Sequence, residues 1–106
     1  GKGEMPATIP QTLPIPESAV VGATMIDRTR NLTEVVLTFP ANVEEVAAFF
    51  GANLEALGWT VESSSGTDAN WLMEYSGELG TGEVILQTGG SGLTQGTLRH
   101  ISPDEG

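Results

Sequence analysis

The chain has 106 residues, enough for one domain with one hydrophobic core. Fourteen acids oppose four bases, and a net charge of −10 repels phosphate backbones and anionic headgroups, so nucleic-acid binding and electrostatic membrane docking are not expected. Cysteine is absent, which removes disulfides and thiolate chemistry, and no run nears the roughly 18 apolar residues that would insert into a membrane.

Residues 1–16 carry Pro6, Pro10, Pro14 and Pro16 with Ile9, Leu13 and Ile15 between them. Proline fixes φ and lacks a donor, so an extended, polyproline-like arm or tether is expected. The sequence opens directly at Gly1, as a mature or trimmed chain would. A single domain is expected over 17–102, with a frayed tail at 103–106.

Ala19 to Asp27 reads as a first strand, and Asp27 to Asn31 as a polar turn. Leu32 to Phe39 alternates, with Val35, Leu37 and Phe39 on one face and Glu34, Val36 and Thr38 on the other. A helix follows, and it is the one segment with a convincing helical period. Val43, Val46, Ala47, Phe50, Leu54 and Leu57 recur three and four apart, forming one stripe. Asn42 and Glu45 have capping-box spacing, and Pro40 helps set the break before them. Gly58 suits the left-handed position after the helix, with Trp59 placed to fold back on Leu54.

Strands are then expected at Trp59 to Ser63, Trp71 to Tyr75, Glu83 to Thr88 and Leu93 to Ile101, the last kinked at Gly96. Ser64 to Asn70 reads as a loop, and Gly77 to Gly82 and Gly89 to Gly92 as turns. The order β-β-α-β-β-β-β with short turns predicts an α+β fold, a two-layer domain with an antiparallel sheet and one helix packed on one face. The expected inward set is Val35, Leu37, Phe39, Trp59, Val61, Trp71, Met73, Tyr75, Val84 and Leu86.

Three pieces carry a resemblance: Leu13-Pro14-Ile15-Pro16, the run from Val43 to Phe50, and Leu54-Glu55-Ala56-Leu57-Gly58-Trp59-Thr60-Val61. Together they resemble small exported bacterial envelope domains, often on lipoproteins, with a proline-rich arm, a hairpin, a helix ending Leu-Gly-Trp and a meander. The resemblance covers most of residues 13–101. It implies a periplasmic or extracellular location, with a lipid anchor where a cysteine precedes the arm, and no known catalysis. Gly51, in mid-helix, departs from the pattern and costs about 1 kcal/mol relative to alanine.

Candidate chemistry is sparse. His100 is the one histidine and reads as a strand-surface residue beside Arg99. Ser91 sits in Gly89-Gly90-Ser91-Gly92-Leu93, which fails the nucleophile-elbow pattern at its last position. Acids alone around one histidine make a poor zinc site, and no calcium loop is present. Glu62 and Glu74 share parity on neighbouring strands and point to the open outer face, where a carboxylate pair lacks a cleft. Gly80-Thr81-Gly82 precedes a strand, the wrong setting for phosphate. Asn31-Leu32-Thr33 matches a glycosylation acceptor by chance. No catalytic residue, cofactor or metal is expected, and Trp59, Trp71 and Tyr75 read as core.

Strand parity places Val36, Leu72, Ile85 and Leu98 opposite the helix. The expectation is that Ile9, Leu13 and Ile15 of the arm cover part of this strip, leaving the rest for a protein partner or self-association. The leading expectation is a non-enzymatic exported interaction or accessory domain, tethered to the cell envelope through its arm. The alternative is a small-ligand module with a pocket between helix and sheet, where Gly51, Ala47, Ala48 and Ala52 leave room.

Overall fold

The computed structural model describes residues 4–103. Six strands form one open antiparallel sheet, and one helix packs on it: an α+β fold. The strands are β1 (Val20–Asp27), β2 (Leu32–Phe39), β3 (Thr60–Gly66), β4 (Asn70–Gly77), β5 (Gly80–Thr88) and β6 (Thr94–Ile101). Their spatial order is β1-β2-β6-β5-β4-β3. The helix α1 (Val43–Ala56) carries the chain from β2 to the far edge, and the meander β3 to β6 returns to pair with β2.

Both ends of α1 follow from local chemistry. Asn42 Oδ1 accepts from the Glu45 N–H at 2.8 Å, and the Asn42 N–H donates to Glu45 Oε1 at 3.2 Å. At the other end Gly58 has φ +96°, and the Trp59 and Gly58 N–H groups donate to the Leu54 and Glu55 carbonyls in a Schellman pair. Val43, Val46, Ala47, Phe50 and Leu54 are buried against β3, β4 and β5, whereas Leu57, at the cap, is exposed.

Of the expected inward set, Val35, Leu37, Phe39, Trp59, Met73, Tyr75, Val84 and Leu86 are buried, and Val61 and Trp71 pack against them half-buried. Strand bounds run longer than composition suggests. Ser64, Ser65 and Gly66 belong to β3, paired with Met73, Leu72 and Trp71, because backbone pairing to an apolar neighbour tolerates serine on an edge strand. The β4–β5 turn shrinks to Glu78 and Leu79, and Gly80 takes φ +128° where a Cβ would meet the Ile101 carbonyl and the His100 ring.

The arm departs most from expectation. From Pro6 to Leu13 it is not extended. Two consecutive turns, Pro6-Ala7-Thr8-Ile9 and Pro10-Gln11-Thr12-Leu13, close with N–H···O bonds of 3.0 and 3.1 Å. Each begins on proline and ends on a buried aliphatic, Ile9 or Leu13. Thr8 meets the Thr33 hydroxyl at 2.6 Å, and the Thr12 carbonyl accepts from the Trp59 indole N–H at 3.0 Å. Thr33 lies on the helix side of β2 and Trp59 is buried immediately before β3, so this part of the arm is a second-layer element beside α1. It does not cover the outer face. The tail expected to fray lies outside the described residues except for Pro103.

Candidate functional site

The outer face is built by register. Val36, Thr97, Ile85, Leu72 and Ser65 are successive cross-strand neighbours on β2, β6, β5, β4 and β3. Leu72 is 43% exposed, Ile85 is 36% exposed and Val36 is half-buried, so three of the four residues expected on this strip are there. Leu98 is not. It pairs with Val35 and Val84, both inward, and is 1% exposed in the core. Period-two alternation is strict along β6: Arg99 faces out, so Leu98 and His100 must both face in. That parity was available in the sequence, but it requires burying the histidine.

A second row runs parallel to the first: Glu34, Arg99, Glu83, Glu74 and Ser63. Arg99 Nε lies 3.4 Å from Glu34 Oε2. Glu74 accepts from Ser63 Oγ at 2.7 Å, and Glu62, at the β3 bulge, accepts from Ser76 Oγ at 2.5 Å. Glu62, Glu74, Glu83 and Arg99 border a shallow concavity of about 550 Å³, which Leu32 and Ile101 also line. On the far side of the apolar row stand Thr38, Gln95, Gln87 and Asn70, all uncharged.

His100 is fully buried, not on the surface beside Arg99. Its Nε2 lies 2.9 Å from the Leu79 carbonyl, which can only accept, so Nε2 carries the proton. Nδ1 then offers its lone pair to the Tyr75 hydroxyl at 2.7 Å. Burial lowers the histidine pKa from its ordinary value, against the opposing pull of the Leu79 carbonyl, and burial also raises that of Tyr75. The Tyr75 and His100 rings stack, and Trp59 meets both edge-on. Both histidine nitrogens are engaged with the protein, and Ser91 lies in the turn before β6, at the other end of that strand. The cluster is structural in its bonding.

A Cβ placed at Gly51 would make ordinary van der Waals contact with Met73 Cε, 3.8 Å away. Ala48 and Ala52 face solvent, and Ala47 is in the core. Asn31 takes φ 54° in the β1–β2 turn, a left-handed position that asparagine tolerates well. Among the described residues no group of three or more histidines and acids is arranged to hold a metal ion, and no helix is long and apolar enough to cross a membrane. No family model matches the chain, nor does any curated protein or solved structure.

Proposed function

We propose that this chain is a non-enzymatic interaction or accessory domain of an exported bacterial protein, joined to the cell envelope through its N-terminal end. One observation carries the interaction reading. Leu72 and Ile85, cross-strand neighbours on β4 and β5, are exposed, with half-buried Val36 beyond Thr97, on a sheet face that neither α1 nor the docked turns of the arm cover. Contiguous apolar surface on a small acidic domain loses contact with water when a partner sits on it, and that loss favours association. The exported setting rests on the resemblance of the arm and the Leu-Gly-Trp helix end to envelope domains.

Site-specific photocrosslinking in the expressing bacterium tests this. A crosslinking side chain at position 72 or 85 should trap one discrete partner, while the same group at Ala48, on the exposed side of α1, should not. Identical patterns from all three positions would exclude the outer face as the working surface.

A further inference from the structure

We infer that the outer face receives a basic amphipathic helix of a partner protein, an inference that rests on the interaction surface proposed above. The row crosses four strands, with Val36 on β2, Thr97 on β6, Ile85 on β5 and Leu72 on β4. Neighbouring strands lie about 4.8 Å apart, so the row is roughly 14 Å long. Side chains three and four apart on a helix recur every 5–6 Å or so. A stripe of aliphatics on a helix laid across the strands therefore meets Leu72 and Ile85 in succession and Val36 one step beyond Thr97. An extended segment fits worse, since every second side chain would point away and its backbone would lie unpaired on apolar groups.

Charge selects the helix's flank. The acidic row is displaced two residues along the strands, about 7 Å, which lies within the half-width plus side-chain reach of a helix some 10–12 Å across. Glu34, Glu62, Glu74 and Glu83 stand there against Arg99 alone, and Arg99 is already beside Glu34. The hydrogen bonds of Glu62 and Glu74 go to serine hydroxyls, which leave their charge uncompensated. The opposite flank of the apolar row is neutral. The complementary helix thus carries lysine or arginine on one side of its aliphatic stripe and not the other. A second copy of this chain would bring its own net charge of −10 to the face, and anionic lipid would be repelled likewise.

A fluorescent peptide of about 14 residues, leucine-striped with lysines on one flank, serves as probe, with glutamates replacing the lysines as its control. Fluorescence anisotropy with the full chain should show saturable binding of the lysine peptide that weakens as salt rises, and none of the glutamate peptide. Glu74→Gln with Glu83→Gln should weaken binding about five- to tenfold, and Leu72→Ser with Ile85→Ser should abolish it. Glu44→Gln with Glu55→Gln, on exposed positions of α1, should leave it unchanged. Equal losses from the α1 pair and the sheet pair would reduce the binding to net charge and overturn the inference. Binding that needs Leu72 and Ile85 but ignores Glu74 and Glu83 would overturn the basic partner while leaving the interaction surface standing. No binding of either peptide also overturns it, and photocrosslinking decides the interaction reading independently.

Discussion

The Tyr75 hydroxyl reaches across an intervening strand to donate to His100 Nδ1 at 2.7 Å, and it can do so because the residue between them is Gly82. Tyr75 pairs with Gly82 on β5, and Gly82 pairs with His100 on β6. Without a side chain at that position the phenol lies flat over the strand and stacks on the imidazole.

Gly82→Ala should therefore be among the costliest small substitutions in the chain. A Cβ there would collide with the Tyr75 hydroxyl and the Arg99 carbonyl. One of these is backbone, so relaxation is limited, and a loss of about 2–3 kcal/mol is expected. Urea melts of the two proteins check it. A change within ~0.5 kcal/mol, typical of a surface site, would mean that Tyr75 does not lie over residue 82.

His100 makes stability depend on pH in a specific window. Its folded pKa is lowered, so protons bind the unfolded chain more readily. The stabilising contribution of neutral His100 is complete above the ordinary histidine value of 6.5 and declines as pH falls below it. Asp27, held at about 2 first by the Thr29 hydroxyl and then by Arg30, loses its contribution only below its usual 3.8. The melting temperature should thus begin to drop near pH 6.5, and His100→Gln should flatten that slope because the amide can serve both partners without titrating. Parallel slopes for the two proteins between pH 7 and 5 would remove His100 as the cause.

His100→Ala should destabilise the fold by about 2–4 kcal/mol, since it opens a cavity and strands the Tyr75 hydroxyl and the Leu79 carbonyl. A lone strand-surface histidine would have been silent. Chemical denaturation of the two proteins distinguishes these cases.

The docked turns of the arm belong to the core. Leu13→Ala should cost about 2–4 kcal/mol, and removal of residues 1–16 should expose the Trp59 indole, which loses the Thr12 carbonyl. Trp59 emission should shift to the red in the truncated chain, read in a Trp71→Phe background. An unshifted spectrum with unchanged melting would show the arm to be dispensable.

The two sides of the sheet should respond unequally to charge. Leu72→Glu with Ile85→Glu adds two facing carboxylates to an exposed face and should cost about 1–2 kcal/mol by like-charge repulsion while leaving the domain folded. Leu98→Glu buries an unpaired charge and should unfold the domain or cost more than about 3 kcal/mol. Circular dichroism melts on both variants give the answer, and a folded Leu98→Glu protein would reverse the faces assigned to β6.

Features that depend on neighbours a few residues away were legible from the chain alone. The helix from Val43 to Ala56 was legible because its cap at Asn42, its period and its Gly58 stop lie within one continuous stretch. β2 was legible because its alternation is clean, and so were Val36, Leu72 and Ile85 as outer residues. Tertiary structure decided the rest. The pairing of β2 with β6 joins segments some sixty residues apart, and that register makes Leu98 inward beside Val35. The buried place of His100 depends on Tyr75 reaching over a glycine of a third strand, and no local pattern records such a partner. Likewise the proline-rich segment looks extended in isolation, because its turns are held by Trp59 and Thr33, which become its neighbours only when the sheet is complete. Short-range hydrogen bonds and periodicity are written in order along a chain; cross-strand register and the burial of polar groups are properties of the assembled sheet.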